Sequence, residues 1–189
     1  MESQFKPNFP GRLLGDLGFP FPDGTHAIGR LDKPSEGLLL LTTNKKVTAL
    51  LFSSAVPHRR TYLVQVRYRV SPESLQQLRN GVSIRITGDD YYTTPPCDAE
   101  FAIAPPFPSP RPLHPAAATT WLCITLKEGK FRQVRKMVDA IGHKCLRLIR
   151  ISIEDMELDN LQPGAVKEVP EAEFFRLLKL SPPSPEADA

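Results

Sequence analysis

Apolar and polar positions alternate most regularly from Arg60 to Val70. Tyr62, Val64, Val66 and Tyr68 fall on one face and Thr61, Gln65 and Arg67 on the other, the pattern of a half-buried strand. A helical period governs Val134, Met137, Val138 and Ile141, so a helix is predicted over Phe131–Ile141, closed by Gly142. The spacing also predicts strands at His26–Leu31 and Leu38–Thr42 around a turn at Lys33–Gly37. Asn44 is placed to cap a helix whose face holds Val47, Leu50, Leu51 and Ser54, with Pro57 ending it. Ser71-Pro72 opens another, with Leu75 and Leu78 inward and Gly81 as its stop. Val82–Ile86 and Tyr91–Thr94 read as a hairpin around Gly88-Asp89-Asp90. Strands follow at Cys97–Ala104, Thr120–Leu126 and Cys145–Ile153, the first two separated by a proline-dense loop. A last helix starts at Pro170-Glu171. Hairpins and isolated helices replace regular βαβ alternation, so the expected class is α+β, a mixed, mainly antiparallel sheet flanked by helices and loops. Residues 1–180 are expected to form one domain, irregular over 1–25 apart from a short helix at Arg12–Leu17, with a disordered tail over 181–189.

Composition narrows the possibilities. The chain has 189 residues, 41% hydrophobic and 24% charged, ordinary for a globular protein. No apolar run approaches the roughly 18 residues of a membrane helix, and Met1–Lys6 lacks a signal-peptide layout, so no membrane role and a cytoplasmic location are expected. Cys97, Cys123 and Cys145 form neither a zinc spacing nor a disulfide framework and read as small buried hydrophobes. The net charge is only +3, yet residues 127–150 carry eight basic against two acidic side chains, and residues 151–189 three against nine. One basic face beside an acidic C-terminal part suggests a polyanionic partner.

Three segments carry candidate chemistry. In Gly29-Arg30-Leu31-Asp32-Lys33-Pro34-Ser35-Glu36-Gly37, Arg30 and Asp32 would share one side of a strand, bracketed by glycines and followed by Leu38-Leu39-Leu40-Leu41. The second is Arg60-Thr61-Tyr62. In the third, Lys127–Met137, Arg135 lies about 110° from the core direction of its helix, at the margin of the buried face. Taken singly, such an Asp is most often a turn residue, such a Tyr core, and such an Arg a snorkelling stem, so pattern alone names no reaction.

Together the segments say more. Gly29–Asp32 with Ser35–Thr42 resembles the catalytic motif of pseudouridine synthases of the RsuA-like ribosomal family; Arg60–Val66 resembles its tyrosine motif; Glu128–Met137 with Gly142-His143 and Leu146–Arg150 resembles its arginine motif and the following strand. The resemblance runs from about residue 26 to about 170 and is nearest to the RluE subgroup, which lacks the S4-type RNA-binding domain; nothing before residue 26 is long enough to form one. It implies the pseudouridine synthase fold and isomerisation of a specific uridine to pseudouridine in RNA, with large-subunit ribosomal RNA the expected substrate and no metal or cofactor; a monomer is expected. It implies that Asp32 is the catalytic carboxylate, acting at the sugar C1′ or on the C2′ proton, that Tyr62 packs on the target base, and that Arg135 pairs with Asp32. Arg30, Arg59, Arg60, Lys130, Arg132, Lys136 and Arg150 are candidate RNA contacts. A non-catalytic RNA-binding factor and an N-glycosidase releasing free uracil are rival readings, separable by whether pseudouridine or free base appears.

Overall fold

The computed structural model describes residues 3–5, 11–52, 56–109 and 118–181. Ser54, the middle of the proline-dense loop and the tail beyond Ser181 lie outside the described residues. Along the chain the elements are a 3-10 turn at Leu14–Leu17, β1 (His26–Ile28), β2 (Glu36–Gly37), β3 (Leu40–Thr42), α1 (Lys46–Phe52), β4 (Arg60–Arg67), α2 (Pro72–Asn80), β5 (Ser83–Thr87), β6 (Asp90–Thr93), β7 (Asp98–Ala102), β8 (Thr119–Leu126), α3 (Gln133–Ala140), β9 (Cys145–Ile153), β10 (Met156–Glu157) and α4 (Glu171–Leu177). Contacts divide the chain into two compact units, Met1–Arg59 with Ile151–Ala189, and Arg60–Arg150.

In the first unit β1 and β3 pair antiparallel, with His26 opposite Thr42 and Ile28 opposite Leu40. Asn44 does cap: its Oδ1 accepts the Lys46 N–H at 3.0 Å, and Val47 and Leu51 of α1 are buried. β10 folds back antiparallel on the end of β9, Met156 opposite Ile153. Phe175 and Leu178 put the apolar side of α4 inside. β1 stops three residues short of the predicted strand because Gly29 turns the chain at φ +70°. A Cβ at Gly29 would lie 2.7 Å from the Phe52 ring, so a side chain there meets both a disfavoured backbone and an occupied space.

The second unit is a sheet with helices packed on it. β4 and β8 pair antiparallel along their full length, Arg60 opposite Leu126 and Tyr62 opposite Ile124; β7 flanks β8, with Ala99 opposite Ile124, and β9 flanks β4. The inward residues Val64, Val66, Leu122 and Ile124 share a core with Leu75 and Leu78 of α2, Val134, Met137 and Val138 of α3, and Ile84 of β5. α2 opens as predicted, Ser71 Oγ accepting the Ser74 N–H at 3.1 Å, and gives way at Gly81. β4 ends at Arg67, earlier than its alternation suggested, because Tyr68 adopts φ +70° and leaves the core face, 55% exposed. Similarly, α3 begins at Gln133 and not Phe131, since Arg132 sits in the left-handed region at φ +54°.

Candidate active site

Asp32 is half-buried on the loop that follows β1. Its carbonyl accepts the Ser35 N–H at 2.7 Å, closing a tight turn. One residue earlier, Ser3 Oγ accepts the Leu31 N–H at 3.1 Å and donates to the Leu31 carbonyl at 3.2 Å. Leu38 and Leu40 anchor the far side of the loop in the core. The backbone at Asp32 is therefore fixed from both directions, which is how a reacting side chain is held in one geometry. Arg30 is exposed, and neither residue lies on a strand, so the expectation that they share a strand face is corrected: the turn at Gly29 removes the alternation that predicted it.

Tyr62, on β4, packs against the core of the second unit and is an electrostatic neighbour of the Arg150 guanidinium. Arg150 is only 4% exposed. Burial pulls its guanidinium below the usual range, Tyr62 opposes that shift, and neighbouring Arg60 adds to it. Arg60 is buried too, and a Cβ on Gly129 would come 3.3 Å from its Nη1, a tight contact. Arg60 and Arg150 are thus both buried, and Arg150 neighbours Tyr62 and Arg60. Arg59 is exposed and bonds Glu154 at 3.4 Å and Asp155 at 3.3 Å.

Arg135 is half-buried on α3, and its Nη1 donates to Cys145 Sγ at 3.4 Å. Burial pushes the Cys145 thiol up, although Arg135 and Arg132 pull it down; burial also raises Cys123, and carries Cys97 to about 11. All three therefore stay protonated near neutrality and offer no nucleophile. Among the described residues no group of His, Cys, Asp and Glu could hold a metal ion, and no helix is long and apolar enough to cross a membrane.

Lys130 and Arg132 are exposed and Lys136 half-buried, on a loop and helix start that are firmly held. Glu128 is the anchor that sequence reasoning missed. It accepts the Tyr92 hydroxyl at 2.6 Å and the Gln133 amide at 2.5 Å, while Gln133 Oε1 accepts the Lys130 N–H at 2.8 Å. The hydrogen bond to Glu128 raises Tyr92 above the ordinary tyrosine range, and burial adds to it. Arg147 was also missed. It is buried, bonds the Phe107 and Pro108 carbonyls at 3.2 and 3.1 Å, and lies 5.9 Å over the Trp121 ring, pinning the start of the proline-dense loop. Periodicity gave no signal for either residue, because Glu128 binds Tyr92 36 positions away and Arg147 binds Phe107 40 positions away.

Comparison with known proteins now bears on these segments. Residues 20–140 match the family model described as RNA pseudouridylate synthase. The chain belongs to that family. It is 38% identical over 170 residues to ribosomal large subunit pseudouridine synthase E of Vibrio parahaemolyticus, covering 88% of this chain and 68% of the relative. Identity to the protein of the same name from Xanthomonas axonopodis pv. citri is 38% over 160 residues, covering 82% and 80%. Among solved structures, one titled as the crystal structure of pseudouridylate synthase superposes with a TM-score of 0.69 at 25% identity, and this chain spans 65% of it. The pseudouridine synthase fold and the α+β class with mostly antiparallel pairing are those expected from the sequence. As a member of this family the chain is an isomerase acting on RNA.

Proposed function

We propose that this chain converts a specific uridine of large-subunit ribosomal RNA to pseudouridine, with Asp32 as the reacting carboxylate, Tyr62 against the target base and Arg135 keeping the carboxylate charged. The observation that carries the reading is similarity to the large-subunit enzymes that runs along 88% of the chain. The fixed backbone at Asp32 supports its role. Both units are read as halves of one catalytic domain over residues 1–180, since the family match crosses from one to the other near residue 60.

The chemistry follows from the residue types. The bond from the sugar C1′ to uracil N1 breaks, the base turns, and C1′ bonds to C5 while C5 gives up its proton to solvent and N1 regains one. Nothing is oxidised or reduced. A carboxylate working while partly desolvated needs a permanent cation beside it, which arginine supplies and lysine, more easily neutralised by burial, does less well. The target base must leave its stack at a cost of a few kcal/mol, and packing on Tyr62 offsets part of that. Packing against the core holds the Tyr62 ring in advance. Arg30, Lys130, Arg132 and Lys136 remain as phosphate contacts. The enzyme acts as a monomer in the cytoplasm, where its RNA is found.

Mapping pseudouridines in ribosomal RNA from cells with and without the gene tests the reading. One large-subunit position should lose its modification and regain it on complementation. An unchanged map would refute it.

A further inference from the structure

Two exposed rings of the second unit have no part in the chemistry above. Phe131 is 73% and Tyr91 66% exposed. Single exposed rings are ordinary, but these two share Lys136 as a neighbour. Lys136 Nζ lies 5.6 Å from the Phe131 ring centroid and donates to the Ile86 carbonyl at 3.4 Å. The same lysine lines, with Tyr91, an open cleft of about 390 Å³ along β5, β6 and α3. Phe131 is not held outward by a loose loop. Lys130 and Gln133 bond each other reciprocally on either side of it, at 2.8 and 3.1 Å. Arg132, directly after the ring, takes a left-handed conformation that L side chains disfavour.

The charge around the rings selects the partner. The segment that carries Phe131 is strongly basic, and the cleft is lined by Lys136 and Arg85 against Asp139, with Arg85 shared with Asp89 at 3.6 Å. Interfaces between proteins exclude lysine from their centres, whereas single-stranded nucleic acid is held by aromatic rings among cations. We propose that Phe131 and Tyr91 form a stacking platform for unpaired nucleobases flanking the target uridine, with Lys130, Arg132 and Lys136 on that strand's phosphates. The inference rests on the reading of RNA as substrate and adds which part of the RNA this face takes.

Fluorescence anisotropy with a labelled single-stranded RNA dodecamer and a duplex of the same length tests it. The Phe131→Ala, Tyr91→Ala double variant should lose about 10- to 100-fold in single-strand affinity, keep its duplex affinity and keep the wild-type salt slope. Phe131→Trp with Tyr91→Trp should recover binding. Lys136→Ala should instead flatten the salt slope by about one. Single-strand affinity within about twofold of wild type, or an equal loss on duplex, would overturn the platform. Pseudouridine formation by the wild type on large-subunit RNA, measured alongside, keeps the two ideas apart: its absence sinks the functional reading, whereas retained affinity in the double variant with modification intact sinks only the platform.

Discussion

Glu128 gives the loop before α3 its shape, and removing it has a magnitude that can be worked out. In Glu128→Ala two hydrogen bonds to a carboxylate disappear. Gln133 is 4% exposed, so its amide is left without a replacement from water, at roughly 1.5–3 kcal/mol. Tyr92 is half-buried and recruits water more readily, so its loss is about 1 kcal/mol. The sum is about 2.5–4 kcal/mol, whereas Glu128→Gln, which keeps an acceptor for Gln133, should lose only about 1 kcal/mol. Urea unfolding followed by circular dichroism measures this as a shift in midpoint at constant slope. The alkaline limb supplies a second readout. Tyr92 titrates above its ordinary 10.0 because of Glu128, so this pair stabilises the fold below that value and ceases to as pH rises through the raised one. The Ala variant should lack that dependence. A stability within about 0.5 kcal/mol of wild type, or an unchanged alkaline limb, would refute the claim that Glu128 anchors the loop.

Other predictions concern different parts of the molecule. Glu154, nearly buried, accepts the Arg59 N–H at 2.6 Å and meets Lys179 and His58 at 3.4 and 3.5 Å. Burial alone would raise it, but the Arg59 and Lys179 bonds outweigh burial and hold it below 4.5. Its contribution is therefore full above 4.5 and lost as pH falls through the lowered value. Glu154→Gln should cost about 2 kcal/mol near neutrality and flatten the acid limb, and curves that stay parallel down to about pH 3 would contradict this. Arg150→Met should lower kcat about tenfold with the RNA salt slope unchanged, and Arg150→Lys should not restore it, because a guanidinium behind Tyr62 differs from a phosphate contact. A flattened slope would return Arg150 to the phosphates. Lys130→Ala with Arg132→Ala should lower the salt slope by about two, and an unchanged slope would remove both from the RNA interface.

Much of this was legible in the residues, and what failed did so for local reasons. Ser71, Pro72 and Gly81 frame α2 because caps and stops act over a few positions. The alternation in β4 held where Val64 and Val66 enter the core and failed at Tyr68, whose backbone no periodicity foretells. Gly29 and Arg132 shortened an expected strand and helix in the same manner, through a single positive φ each. Among the arginines, type and spacing gave no guide to exposure. Arg60, Arg147 and Arg150 are buried, and Arg59 is engaged with the acidic pair after β9, so charge counts alone did not show which arginines are exposed and which are paired. Pattern marked the Asp32 turn as a candidate and the family motif suggested its role; the Ser3 bonds to Leu31 beside it span 28 positions and left no trace in the hydrophobic rhythm.

The most direct measurement is single-turnover conversion of large-subunit ribosomal RNA by Asp32→Asn, with RNA binding assayed on the same preparation. The substitution keeps the side chain's size and removes its charge and basicity. The account predicts no detectable pseudouridine and RNA affinity within about threefold of wild type, since the proposed phosphate contacts are made by other side chains. Pseudouridine formed at the wild-type rate would show that the reaction does not run through this carboxylate.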